Sequence, residues 1–214
     1  MMVNSISGPA RERLLRLMRI LEKSGEAPVT SAQVEQMTGW PSHTIRKDIS
    51  FLGDGGHAVG SSNGYAPAAL IPAIKKALGL DRRRRFCVVG LGRLGSAYLN
   101  DQSFDFGPSG EEEFELAAGF DTNVNRVEIL KSPAPLYPAY KMGEVIRRFS
   151  IEMALLCVPP EAAQGAAEKL AAAGIRGIVN FAPVVLKLPP DMAVRNVYVA
   201  DELRELAICI RSIE

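Results

Sequence analysis

The residues whose types and spacing best suit ligand chemistry are three glycines, Gly90, Gly92 and Gly95, which follow an apolar stretch and open a helical one. In such a turn the first glycine permits a tight bend and the second lets backbone amides approach a pyrophosphate. The third lets the helix pack close to the strand. Asp121 ends the next apolar stretch, where a carboxylate accepts hydrogen bonds from an adenosine ribose and repels a 2′-phosphate. The pair of features predicts a dinucleotide site that prefers NAD(H) to NADP(H).

The predicted site extends beyond these residues to the rest of the turn and to two later loops. Within the turn, Arg93 either pairs with the pyrophosphate or faces solvent. Each later loop follows the carboxyl end of a predicted strand, and such loops line the ligand crevice of an open parallel sheet, so their residues are expected to surround the nicotinamide half of the cofactor. The alternative is that their prolines only terminate strands. The additional candidates for cofactor binding are Leu91, Arg93, Leu94, Val158, Pro159, Asn180, Phe181 and Ala182.

Histidine and cysteine give little material for a metal site or a nucleophile. His43 and His57 are the two histidines, and they lie apart in the sequence. Cys87, Cys157 and Cys209 lie in apolar runs without metal-ligand spacing, which predicts buried free thiols. We therefore expect no metal and no catalytic residue, and any redox response should come from the bound cofactor.

A second group of polar residues lies on a short predicted helix that begins at Ser42. If this helix enters a major groove, its exposed early positions meet bases and phosphates. Residues 1–85 carry 13 Lys+Arg and 7 Asp+Glu, whereas residues 86–214 carry 12 Lys+Arg and 17 Asp+Glu. The predicted helix therefore lies in the basic part of the chain. A solvated helix face is the alternative. The DNA-binding candidates are Ser42, His43, Thr44, Arg46, Lys47 and Ser50.

The elements that position these residues divide the 214-residue chain into two domains. Residues 1–80 contain three short helices, a Gly- and Ser-rich hairpin segment and a linker helix, which predicts a winged helix-turn-helix. Residues 81–214 alternate apolar strands with helices, which predicts a Rossmann-like α/β domain with a parallel sheet. No apolar run approaches the length that spans a bilayer, and arginines interrupt the first apolar stretch. A cytoplasmic protein without a membrane partner is expected.

Four strings of the chain resemble the Rex family of redox-sensing repressors, and they extend over most of its length. They are IRKDISFLGDGG, VVGLGRLGSA with the later FDTN, and CVPPEAAQGAAEKLAAAGIRGIVNFAPVVL. The resemblance implies a winged-helix domain, a Rossmann domain and a homodimer in which the C-terminal helix swaps between subunits. It also implies binding to operator DNA that NAD⁺ permits and NADH relieves.

The C-terminal segment allows such a swap. Leu203, Leu206, Ile210 and Ile213 form an apolar stripe that three further residues, 207–209, widen beyond one face. A helix of this kind needs burial on more than one side. Packing on its own domain is the alternative.

The resemblance also points to a redox-dependent cluster, with an arginine on the first helix, a tyrosine after the nucleotide-binding helix and an aspartate that ends the last strand. By position these are Arg16, Asp101 and Tyr198, so the tyrosine and the aspartate are exchanged here. Two other departures concern DNA. His57 and Ala58 replace the family's Lys-Arg pair in the wing, and Pro41-Ser42 reverses its Ser-Pro order.

Two other classes of function compete with this interpretation. A nicotinamide-dependent dehydrogenase needs a proton donor or acceptor beside the nicotinamide, and no histidine falls in the second domain. Tyr137 and Lys141 have the Tyr-x-x-x-Lys spacing of short-chain dehydrogenases, but Pro138 disfavours the helix that this pair requires. The other competitor is a nucleotide- or CoA-binding regulatory module whose first domain binds protein.

Overall fold

The computed structural model describes residues 6–52, 60–61, 64–99 and 113–211. They form two compact units, of which the first runs to Arg83 and also includes Glu113, and the second holds the remaining described residues. The first unit therefore extends slightly past the predicted boundary at residue 80. The predictions for His57, Ala58 and Asp101 concern residues outside the described ranges.

The first unit is built from short helices and a small hairpin. Ser7 caps the first helix through the backbone N–H of Ala10, and Thr30 with Gln33 forms a capping box on the second. Gly39 ends the second helix at φ 73°, a left-handed conformation that suits glycine. The elements are α1 (Gly8–Lys23), α2 (Ser31–Thr38), α3 (Ser42–Ser50), β1 (Gly60–Ser61), β2 (Gly64–Tyr65) and α4 (Pro67–Leu78).

A shared apolar core and an ion pair join these helices. Leu14, Ile45 and Ile74, from α1, α3 and α4, are almost completely buried together. The guanidinium of Arg13 on α1 donates two hydrogen bonds to the carboxylate of Asp48 on α3, with N–O distances of 2.6 and 2.9 Å. Asp48 is buried, so this bidentate pair fixes α3 against α1. A second ion pair, 2.8 Å long and largely buried, joins Lys75 to Glu113.

The second unit is a parallel sheet with helices on both faces. Its described strands lie in the order β5-β4-β3-β6-β7-β8, so the strand order reverses between β3 and β6. This is the doubly wound arrangement in which ligands bind at the carboxyl ends of the strands beside the reversal. The strands are β3 (Arg84–Val89), β4 (Phe114–Asp121), β5 (Leu136–Pro138), β6 (Met153–Leu156), β7 (Gly177–Asn180) and β8 (Ala193–Asn196). The helices are α5 (Arg93–Ala97), α6 (Val124–Ile129), α7 (Met142–Phe149), α8 (Pro160–Ala173) and α9 (Val199–Arg211).

The architecture confirms the predicted α/β fold with an N-terminal helix-turn-helix. The sequence did not predict the edge strand β5, because Pro138 within three residues gives almost no strand signal. The prediction that all three cysteines are buried is wrong for Cys209, which is exposed on α9. Of the helices that the structure describes, none combines the length and the apolar character that crossing a bilayer demands.

Candidate nucleotide site and nucleic-acid interface

A cavity of about 730 Å³ opens at the carboxyl edge of the parallel sheet. Val89 of β3 pairs in register with Phe120 of β4 and with Leu156 of β6, so these three strands end together. The residues that follow them, Gly90, Asp121 and Cys157, line the same cavity. The sheet therefore brings the glycine turn and the strand-ending carboxylate to one crevice, as the sequence predicts.

The three glycines of the turn differ in their surroundings. Gly90 has φ 88°, and a Cβ there would lie 2.7 Å from the carbonyl oxygen of Cys157. A Cβ on Gly95 would lie 1.8 Å from the carbonyl oxygen of Gly90, so only glycine lets α5 approach the turn this closely. Gly92 faces open space on the cavity, where a ligand's phosphates can approach the backbone.

Asp121 is almost completely buried, and its carboxylate accepts three hydrogen bonds. Oδ2 accepts from the backbone N–H of Leu91 at 2.7 Å and from Nη1 of Arg126 at 3.0 Å. Oδ1 accepts from the backbone N–H of Asn123 at 2.7 Å. Burial by itself raises the pKa of Asp121, but these hydrogen bonds and the positive charge of Arg126 outweigh it, and the net pKa is lowered. Asp121 is therefore an anion at neutral pH.

The remaining predicted cofactor residues are placed in different ways. Val158 and Pro159 line the cavity beside Gly90. Leu91 is buried, and its amide holds Asp121, whereas Arg93 and Leu94 are exposed on the turn.

Asn180 holds the loop after β7, and it does so with all of its side-chain polar atoms. Its Nδ2 donates to the carbonyl oxygens of Ala182 and Val184 and to Oδ1 of Asn196. Its Oδ1 accepts from the backbone N–H of Ala182. Asn180 therefore positions Phe181 and Ala182, and these three residues do not line the 730 Å³ cavity.

Sequence reasoning missed Tyr98, which follows α5. The rings of Tyr98 and Phe181 lie 5.3 Å apart, so the loop after β7 packs against the end of the glycine-turn helix. Burial is the main cause of a raised pKa for Tyr98. At the adjacent strand end, burial raises the pKa of the Cys157 thiol to about 12, so this cysteine stays protonated at neutral pH. A lone tyrosine three residues after Gly95 gives no sequence signal of such a contact.

One face of α8 was also missed. Ala162, Gly165, Ala166 and Lys169 line the cavity at helical spacing. The small side chains leave room beside the helix, and the lysine adds a positive charge at its far end. The spacing of small residues in this segment is the signal that could have identified this wall.

The Tyr-x-x-x-Lys pair does not lie on a helix. Tyr137 lies in β5 and Lys141 at the end of a 3₁₀ turn, Ala139–Lys141. The helical spacing that the Tyr-x-x-x-Lys arrangement needs is therefore absent here. Within the described ranges, no group of three or more His, Cys, Asp or Glu side chains is placed to hold a metal.

The polar face of α3 is open to solvent. His43, Arg46, Lys47 and Ser50 are exposed, Ser42 and Thr44 are half-buried, and Ile45 and Ile49 face the core. Nη1 of Arg46 donates to Oγ of Ser31 at 3.1 Å, which places its guanidinium near the start of α2. The backbone N–H of Ser42 donates to a carboxylate oxygen of Glu35 on α2. This is a helix-turn-helix with basic groups on the exposed side of its second helix.

Two of the proposed switch residues, Arg16 and Tyr198, lie in different units, and each is described within its own unit. Arg16 pairs with Glu12 on its own helix and is largely exposed. Tyr198 is partly exposed just before α9, where its backbone carbonyl accepts hydrogen bonds from residues 201 and 202. The third member, Asp101, is outside the described part of the chain, so the cluster stays a prediction.

Comparison with known proteins gives consistent matches along the chain. The CoA binding domain family matches residues 81–184. A redox-sensing transcriptional repressor Rex from Thermus thermophilus is 37% identical over 92% of this chain and 88% of its own length. One from Levilactobacillus brevis is 33% identical over 89% of this chain and 86% of its own length.

Solved structures of a Rex-family repressor, RSP, are also similar. RSP in complex with NAD⁺ and operator DNA is 30% identical, with a TM-score of 0.82 over 97% of this chain and 93% of that one. RSP in complex with NADH has a TM-score of 0.78 over 97% of this chain and 95% of that one.

Proposed function

This chain belongs to the Rex family of redox-sensing transcriptional repressors, and we propose that it binds operator DNA through α3 and leaves it when NADH occupies the cavity at Asp121. It is a regulator and not an enzyme, and its cofactors are NADH and NAD⁺. The observation that carries the proposal is the crevice itself. Three strand ends, an open Gly92 and a buried anion meet there, as an adenosine and a pyrophosphate require.

The cofactor residues are assigned from this geometry. Gly92 and the backbone of the turn are assigned to the pyrophosphate, and Asp121 to the ribose. Val158 and Pro159 line the same cavity as Asp121, so they are assigned to the adenosine half rather than to the nicotinamide half that the sequence suggested. Phe181 and Ala182, held by Asn180, lie toward the nicotinamide half. NADH and NAD⁺ differ by one hydride and one positive charge, so the groups that distinguish them lie close to the nicotinamide ring.

The DNA contacts are assigned to the exposed face of α3. Arg46 is placed to contact a base or a phosphate, and Lys47 is the simpler phosphate contact. Ser42, His43, Thr44 and Ser50 complete the face. The proposed partner is operator DNA, and the proposed location of the protein is the cytoplasm.

A homodimer is proposed from α9. Within the range Val199–Arg211 no residue is buried, and Leu203 and Leu206 are 61% and 56% exposed. Apolar side chains so arranged are stabilised only when another surface covers them. A second copy of the chain, which exchanges this helix, is the proposed cover.

The switch is proposed to work by unequal affinity. A ligand can move the dimer from a mostly DNA-binding state to a mostly non-binding state only if its binding free energy differs between the two states. The difference must be roughly 5.5 kcal/mol. Arg16, Asp101 and Tyr198 are the polar groups proposed to couple the nicotinamide to this change. Tyr198→Phe should then leave NADH affinity nearly intact and prevent release from DNA. Release at the parent's NADH concentration would assign the coupling to packing at the exchanged helix instead.

The decisive experiment is a gel-shift titration on the DNA upstream of the chain's own gene, with NADH and NAD⁺ in parallel lanes. We expect a shifted complex that persists with NAD⁺ and disappears with NADH. A complex that responds equally to both would refute redox sensing. Absence of any complex, combined with NADH binding, would favour a nucleotide-binding module whose first domain binds protein.

A further inference from the structure

Arg126 on α6 donates a hydrogen bond to the carboxylate of Asp121, which is the proposed acceptor for the ribose hydroxyls. Its Nη1 donates to Oδ2 of Asp121 at 3.0 Å, and its side chain lines the 730 Å³ cavity. Asp121 is 6% exposed at its side chain, whereas Arg126 is 42% exposed. The arginine therefore reaches the buried anion from the solvent side, which is the side from which a cofactor enters.

Counting acceptor positions shows that the ribose and the arginine compete. A carboxylate offers about four lone-pair positions. Leu91, Asn123 and Arg126 use three of them, which leaves one. The two hydroxyls of an adenosine ribose require two. The donors at residues 91 and 123 are backbone amides fixed by the turn, so Arg126 is the donor that can withdraw.

We propose that Arg126 determines cofactor specificity at this site, because it yields Asp121 to the ribose hydroxyls of NADH but pairs with the 2′-phosphate of NADPH. The inference rests on the proposed NADH binding. A guanidinium forms strong, directional hydrogen bonds with phosphate oxygens. It also offsets the negative charge by which Asp121 repels that phosphate. The chain should accordingly accept NADPH better than Asp121 alone would allow, while still preferring NADH.

The experiment is a calorimetric titration of the full chain with NADH and, separately, with NADPH. The variants are Arg126→Ala and Arg126→Lys, with Arg147→Ala as the charge-matched control. Arg147 is exposed on α7 of the same unit and is not a partner of Asp121. Circular dichroism and operator binding without cofactor check that each variant is folded.

We expect Arg126→Ala to raise the Kd for NADPH by about tenfold, the loss of one charge-assisted contact, and to leave the Kd for NADH equal or lower. Arg126→Lys should recover part of the NADPH affinity, and Arg147→Ala should leave the ratio of the two Kd values unchanged. An unchanged ratio in Arg126→Ala, an equal loss of both ligands, or the same effect in Arg147→Ala would overturn the inference. A parent chain that binds neither dinucleotide would instead overturn the proposed function, and this inference with it.

Discussion

The ion pair between Arg13 and Asp48 offers a quantitative test of how α3 is held against α1. Replacing Arg13 by Met keeps most of the aliphatic volume but leaves the Asp48 carboxylate without its partner. Asp48 is 5% exposed and Arg13 28% exposed at their side chains. Removing one member of a fully buried pair costs roughly 3–5 kcal/mol. Because water reaches the exposed part of Arg13, we expect a loss of about 2 kcal/mol in the free energy of unfolding.

The same pair predicts how combined replacements behave. Asp48→Leu in the Arg13→Met background removes the orphaned charge and should recover most of the lost stability, since apolar replacement of a buried pair is often neutral. Arg16→Met is the matched control on the same helix. Its pair with Glu12 is exposed, with both side chains at least 60% accessible, so its loss should cost about 0.3 kcal/mol.

Urea unfolding followed by tryptophan fluorescence is the assay. The chain has one tryptophan, Trp40, which lines the same small cavity in the first unit as Arg13 and Asp48. The signal therefore reports on the unit that contains the pair. If Arg13→Met loses no more than the Arg16→Met control, or if the double variant is the least stable of all, the pair does not fix α3 as argued.

Three further predictions concern the proposed sites. Asp121→Asn should weaken NADH binding in calorimetry by roughly 1–3 kcal/mol, since the ribose loses a charged acceptor. Because the pKa of Asp121 is lowered in the fold, its stabilising effect is present above about pH 4 and disappears as the pH falls through the folded pKa. The stability difference between parent and Asp121→Asn should therefore shrink in acid, and a constant difference from pH 3 to 7 would contradict this. In gel shifts, Arg46→Ala should cost about 1–3 kcal/mol and relax sequence preference if it contacts a base, whereas Lys47→Ala should weaken all sequences alike and flatten the salt dependence; parent-like binding by both would exclude α3 as the recognition element. Leu206→Glu should convert the dimer to a monomer in light scattering, and an intact dimer would remove α9 from the interface.

Local sequence signals predicted the elements whose residues have steric or capping roles within a short stretch of the chain. Gly90, Gly92 and Gly95 have separate steric roles in a strand-turn-helix, and their spacing together with the strand-ending Asp121 indicates both the turn and its use. The first three helices of the first unit have capping residues or breakers next to an apolar stripe, and α3 begins at Ser42 as predicted. The resemblance to the Rex family adds that a helix-turn-helix and a nucleotide-binding domain occur together in one chain.

The partners of side chains far apart in the sequence could not be predicted in this way. Arg13 and Asp48 are 35 positions apart, and nothing in either helix indicates that their faces meet. The case of Arg126 is different, because it lies only five residues after Asp121 and is 42% exposed on α6. A solvated cation is the ordinary expectation there, and the geometry of the carboxylate is what distinguishes a competitor of the ribose from a surface charge. The type of the Asp121 side chain predicted that it could bind a cofactor. The number of hydrogen bonds that its carboxylate already accepts decides that Arg126 must move when the cofactor binds.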